Sequence, residues 1–188
     1  MEHVLNNGAT LAIRPAVPDD AADFAQYLEA VAGQSDFLTF GPGEVDPVET
    51  QRKSIGDFAN RRNGIFLVAE VEGRIVGCLT FRRGKRPKTA HTGEFGITVL
   101  QDFWGLGIGR RLLGSLINWA GQTGEVRKIN LRVRTDNSRG IALYHKMGFA
   151  VEGRITRDLR SNGVLYDVYT MGLNIDPEPA LAGQDQTE

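Results

Sequence analysis

Residues 94–113 read Glu-Phe-Gly-Ile-Thr-Val-Leu-Gln-Asp-Phe-Trp-Gly-Leu-Gly-Ile-Gly-Arg-Arg-Leu-Leu, and Gly105, Gly107 and Gly109 alternate there with Trp104, Leu106 and Ile108. The first part, 94–100, is apolar and ends in β-branched residues, as a buried strand does. From Ile108 the period becomes helical, with Ile108, Leu112, Leu116, Ile117 and Ala120 on one face. A strand therefore runs into a glycine turn that opens a helix. The first amides of a helix have no internal acceptor, and the helix dipole adds partial positive charge at that end. Glycines there remove the Cβ atoms that would hold a ligand off the backbone. The chemistry this suits is the binding of an anion, most simply a phosphate or pyrophosphate.

Two other phosphate motifs fit less well. No Lys-Ser/Thr follows the glycines, so the P-loop pattern fails. The dinucleotide pattern Gly-x-Gly-x-x-Gly needs glycine where Arg110 or Leu112 stands, although Asp136, at the end of a later strand, could meet a ribose. A turn without any ligand is the remaining alternative.

A second group of residues lies downstream. Asn137, Gly140 or Ile141, and Tyr144 are spaced to share one face of a short helix. Asn137 and Tyr144 are separated by about 10 Å of helix axis. An amide and a phenol so placed could follow one elongated ligand, or be a helix cap and a core-edge tyrosine.

The elements that must position these groups can be read in order. Thr10–Arg14 is expected as a strand, and a helix begins at Pro18-Asp19-Asp20 with Ala21, Phe24, Ala25 and Leu28 inward. Residues 33–47 form a polar Gly/Pro-rich loop whose Phe37, Leu38 and Phe40 either line a mouth or enter the core. A second helix is expected over 47–62. Strands 65–71 and 74–81 flank the hairpin signal Glu72-Gly73. The basic run 82–88 reads as a solvated turn, with an acidic or nucleic-acid contact as the alternative. Strand 128–135 alternates Ile129, Leu131 and Val133 with Asn130, Arg132 and Arg134. A short helix ending at Met147-Gly148 follows, then strands 149–156 and 164–171. Residues 176–188 are Pro-, Ala- and acid-rich and are expected to be disordered, leaving 1–175 as one domain.

Composition narrows the class. The 188 residues are 41% hydrophobic, enough for a sizeable core, and the net charge of -1 gives no general attraction to nucleic acid or anionic membranes. A lone cysteine, Cys78, allows no internal disulfide. Neither a leader pattern nor a spanning segment is recognised, so a soluble cytoplasmic protein is expected. No metal site is expected.

The two groups together resemble the GNAT N-acetyltransferase superfamily. Its acetyl-CoA signature, Arg/Gln-x-x-Gly-x-Gly/Ala, corresponds to Trp104-Gly105-Leu106-Gly107-Ile108-Gly109, with Trp104 in place of the first residue. Its later signature, Asn-x-x-Ala-x-x-Leu-Tyr-x-x-x-Gly-Phe, corresponds to Asn137–Phe149, with Gly140 in place of Ala. Glu94-Phe95, Glu152-Gly153-Arg154, Asn162-Gly163, Asp167 and Met171 are similar to the branch holding spermidine, ribosomal-protein and antibiotic acetyltransferases. The resemblance implies an α/β (α+β) fold, with a mixed, mostly antiparallel sheet of about seven strands and about four helices. It also implies acetyl-CoA as acetyl donor and a small-molecule or peptide primary amine as acceptor. Nucleic acid is not expected as a partner, and a homodimer is left open.

Residue roles follow from the resemblance. Ile97, Thr98 and Val99 would pair with the pantetheine amides. Residues 104–110 (Trp104, Gly105, Leu106, Gly107, Ile108, Gly109 and Arg110) would cradle the pyrophosphate, and Asn137 and Tyr144 would line the cofactor. A neutral amine would attack the thioester directly. Glu94 would be the base, the Val99 amide the oxyanion donor and Tyr144 the acid that protonates the leaving thiolate. The alternative is a catalytically silent acetyl-CoA-binding sensor of the same fold.

Overall fold

The computed structural model describes residues 2–6, 8–59 and 64–175. The expected tail at 176–188 and the end of the second expected helix at 60–63 lie outside the described residues. The elements run β1 (Glu2–Val4), β2 (Thr10–Pro15), α1 (Ala21–Ala32), α2 (Val48–Ala59), β3 (Gly64–Val71), β4 (Arg74–Arg83) and β5 (Thr92–Val99). They continue with α3 (Ile108–Thr123), β6 (Lys128–Arg134), α4 (Ser138–Lys146), β7 (Ala150–Ser161) and β8 (Val164–Asn174). The sheet has eight strands in the order β1-β2-β3-β4-β5-β6-β8-β7. The sequence led us to expect about seven. The extra strand is β1, three residues paired antiparallel with β2, too short to show alternation.

Two tight turns behave as their residues demand. Glu72 (φ 51) and Gly73 (φ 75) join β3 to β4, and Asn162 (φ 49) and Gly163 (φ 78) join β7 to β8. Both central positions are left-handed, as the right-handed twist of a hairpin requires. In the central strands the pleat divides the side chains between two layers. Phe66 and Thr98 meet α1 through Phe24 and Tyr27, while Phe81 and Phe95 meet Trp119 of α3 and Tyr144 of α4. The core fills both layers, with Val68, Val76, Leu79, Leu112, Leu113 and Leu116 fully enclosed. Leu113 is buried where the helical pattern pointed to Ile117, which is only partly covered.

One sheet pairing is short. β5 and β6 run parallel and pair only from Thr92/Lys128 to Glu94/Asn130. Beyond that point β5 continues to Val99 beside β4, and β6 continues to Arg134 beside β8. The two neighbouring strands therefore part.

Arg134 sits at the far end of the parted β6, and although its place in the alternation suggested solvent it is only 5% exposed. Its guanidinium lies 3.5 Å from the Tyr166 ring centroid and 4.8 Å from that of Phe37. It donates to Asp136 at 2.7 Å and to Asp36 at 3.0 Å. Phe37 is thus a cover for this cation, while Leu38 and Phe40 pack against the core. The Ser161 hydroxyl and then Arg134 lower the Asp36 carboxyl from its ordinary 3.8, and Arg134 lowers that of Asp136. A lowered folded-state value gives stability that is present above the unfolded pKa and lost as pH falls through the folded one. Arg134→Met should lower Tm at neutral pH by roughly 5 °C. Melting curves from pH 6 down to about 2 should also show a shallower acid loss than wild type, chiefly through Asp136. An unchanged acid profile would show that these carboxylates take no stability from Arg134.

Candidate active site

The parting of β5 and β6 leaves a row of backbone groups facing a gap. The Gly84 N–H donates to the Thr92 carbonyl at 3.0 Å, and the Leu100 N–H to the Val76 carbonyl at 2.9 Å. In an antiparallel ladder such directly opposed hydrogen-bonded pairs alternate with non-bonded ones. The even-numbered residues of β5, Thr98 among them, therefore spend their backbone groups on β4. Those of Ile97 and Val99 point the other way, into the gap. Of the three residues expected to meet pantetheine, Ile97 and Val99 turn their backbone groups toward the gap, the Val99 carbonyl taken by Trp104, and Thr98 does not. Thr98 contributes a side chain instead: its Oγ1 lies 2.6 Å from the Tyr27 hydroxyl and 3.3 Å from the Cys78 sulfur. Burial raises both Tyr27 and Cys78 above their ordinary pKa values, so this cluster remains neutral.

The chain leaves β5 through Leu100 and a single 3-10 turn, Gln101–Phe103, then reaches the glycines. Trp104 turns back on the strand, its indole N–H donating to the Val99 carbonyl at 2.7 Å. The Arg139 guanidinium of α4 lies 4.7 Å from the centre of that indole. The residue that departs from the family signature thus ties the turn to β5 and to α4. Gly105 (φ 81) and Gly107 (φ 79) are left-handed, and Gly107 caps α3 without a side-chain acceptor. The amides of Ile108, Gly109 and Arg110 are left without intrahelical acceptors, and no acidic residue stands in the first turn. Arg110 is exposed there. A Cβ on Gly109 would come within 3.2 Å of Leu143 and 3.9 Å of Ile97, so strand, turn and α4 converge on this glycine. This cradle has the open amides and the closeness of backbone that a pyrophosphate needs.

α4 brings the second group. Asn137 is its N-cap, accepting from the Gly140 N–H at 2.9 Å. A Cβ at Gly140 would come within 3.0 Å of the Asn137 amide. Tyr144 is buried, with its ring 5.8 Å from that of Phe95 and 6.1 Å from that of Phe149. Burial pushes its phenol up to about 12.

Glu94 immediately precedes Phe95 and points to the opposite face of the sheet. Glu94 and Tyr144 thus flank the point where β5 and β6 part, one from each face. Val99 lies four residues along, about 13 Å from Phe95. Glu94 and Tyr144 lie on opposite faces of the sheet near that point, Tyr144 through its contact with Phe95, and Val99 lies further along β5. Sequence reasoning missed Tyr27 and Arg134. Tyr27 follows Phe24 by one helical turn, a signal that was available.

The profile of the Acetyltransferase (GNAT) family matches residues 33–149. The chain belongs to the GNAT acetyltransferase family. An acetyltransferase of that family from Streptococcus pneumoniae superposes with a TM-score of 0.85 at 32% identity, over 88% of this chain and 99% of that one. yncA of Salmonella typhimurium, solved with its cofactor acetyl-CoA, shares the fold with a TM-score of 0.80 at 22% identity, covering 90% of this chain and 96% of that one. Among curated relatives, the L-amino acid N-acetyltransferase AaaT of Escherichia coli is 34% identical over 56% of this chain and 65% of its own length. The N-alpha-acetyltransferase RimI of Mycobacterium tuberculosis is 37% identical over 56% of this chain and 63% of its own length. The chain thus spans just under two thirds of these relatives. Acetyl-CoA is the acetyl donor of the GNAT family. Among the described residues no helix is long and apolar enough to cross a membrane.

Gly109→Val should weaken acetyl-CoA binding about tenfold, because the added branches push between Ile97 and Leu143 beside the open amides. Calorimetry on a variant with wild-type circular dichroism checks this. Unchanged affinity would remove the glycine turn as the anion site.

Proposed function

We propose that the protein is an acetyl-CoA-dependent N-acetyltransferase acting on a primary amine by direct attack. One observation carries the reading. The backbone edge of β5 opened by the departure of β6 runs from the glycine cradle back to Glu94 and Tyr144. Pyrophosphate on the amides of 108–110 and pantetheine amides along Val99 and Ile97 would bring the thioester toward Phe95. Ile97, whose N–H faces the gap closer to Tyr144 than that of Val99, is then the better placed oxyanion donor.

The residues divide the proton traffic by face. Glu94 takes a proton from the acceptor ammonium, directly or through water, and frees the nitrogen lone pair. That pair forms the N–C bond to the acetyl carbonyl, the C–S bond breaks, Tyr144 gives its proton to the departing thiolate, and the proton the nitrogen sheds on becoming an amide restores the Tyr144 phenol. A phenol raised to about 12 is fully protonated at neutral pH, as this role requires. Its burial against Phe95 and Phe149 also keeps water from competing for the thiolate. Cys78 is buried behind Thr98 with a raised thiol pKa, so it suits the core and not a covalent route.

The test removes one oxygen. Tyr144→Phe keeps the ring packing and should lower kcat about a hundredfold while acetyl-CoA Kd stays within about twofold. Glu94→Gln should lower kcat and flatten the acidic limb of the pH–rate profile. Free thiol release with an amine panel, beside a cofactor titration, reads both. Full turnover by Tyr144→Phe with only a lowered Tm would make Tyr144 a packing residue.

A further inference from the structure

The sheet face that carries Glu94 also carries Arg82 and Arg132. Arg82 is engaged with α2: its guanidinium lies 4.2 Å from the Phe58 ring centroid and 3.3 Å from the Ser54 hydroxyl. Arg132 differs from the closely paired arginines of this protein. Arg14, Arg134 and Arg154 hold carboxylates at 2.7, 2.7 and 2.6 Å. Arg132 stands 3.8 Å from Glu94 and 3.7 Å from Asp158, beyond hydrogen-bond reach of either, with its side chain 55% exposed. A guanidinium with its donor fork open, next to the carboxylate that would receive the acceptor's ammonium, is half of a recognition site.

We propose that the acceptor is a zwitterionic α-amino acid and that Arg132 binds its carboxylate. This rests on the acetyltransferase reading. In an α-amino acid the ammonium and the carboxylate are separated by one carbon. Inserted between Glu94 and Arg132, it exchanges one long ion pair for two short ones, ammonium to Glu94 and carboxylate to the Arg132 fork. Asp158 remains beside Arg132 and steadies it. Charge selects in the same direction. Glu94 and Asp158 flank Arg132, and Arg82 stands across the β4–β5 ladder from Glu94, so a zwitterion adds no net charge to this cluster. A polyamine would set a second cation against Arg82 or Arg132, and a simple alkylamine would leave the fork empty.

The experiment is a panel of L-α-amino acids, each beside its α-carboxamide and its decarboxylated amine, with spermidine and an alanine-ended peptide as further acceptors. Acetyl-CoA-dependent thiol release is measured for wild type, Arg132→Gln and Arg132→Lys. Wild type should favour at least one free acid over its carboxamide and amine by about tenfold or more in kcat/KM. Arg132→Gln should raise KM for that acid and reduce the preference toward one, and Arg132→Lys should restore part of it. Acetyl-CoA Kd, measured separately, should not move. Turnover of spermidine, the peptide, carboxamides or simple amines at or above the level of every acid overturns the proposal but leaves the acetyltransferase reading standing. So does a preference for acids that survives in Arg132→Gln. Acetyl-CoA binding without turnover of any acceptor overturns both.

Discussion

Everything at the site depends on a hydrogen-bond ladder that stops early. β5 and β6 share three residue pairs and then separate. A strand edge inside a fold needs partners for its amides and carbonyls, because an unpaired buried backbone group costs as much as a lost hydrogen bond. Here Trp104 takes the Val99 carbonyl, and the neighbouring groups stay open toward the gap. An extended ligand with amides of its own satisfies them as a further strand would.

The separation has to be held open, and polar contacts do much of that holding. Arg134 ends the diverging strand and clamps the loop after α1 through Asp36 and the start of α4 through Asp136. The Phe37 and Tyr166 rings cover the guanidinium, while both carboxylates stay about half exposed. On the other strand, the Gln101 N–H donates to Gln34 at 2.8 Å, so the same loop also reaches the glycine turn. One loop is pinned to both sides of the gap.

How much could be read in advance follows from which signals are local. The glycine turn, the start of α3, both left-handed hairpin turns and the cap at Asn137 were legible, since each follows from a few adjacent residues. The burial of Arg134 was not, because alternation in β6 marks its side as polar. Only the distant Phe37, Tyr166 and Asp36 make a buried cation tolerable there. The outward turn of Ile97 and Val99 was equally hidden: it depends on which pairs of the β4–β5 ladder are bonded, a long-range register that no motif encodes. That register separates Val99 from the position beside Tyr144 and brings Ile97 closer.

The bond from Trp104 to Val99 has a geometric consequence. It fixes how far the anion cradle stands from the first open backbone group. From there strand addition advances in steps of two residues, because only every second residue faces the gap. A guest held at its phosphate end cannot slide by a single residue without losing its pairing. If the amides of 108–110 hold the pyrophosphate as proposed, the turn and the strand edge together act as a ruler whose zero lies there. What they measure is the length of the arm between pyrophosphate and sulfur. A donor with a shorter or longer arm would find the cradle and the edge intact, yet deliver its carbonyl away from Tyr144.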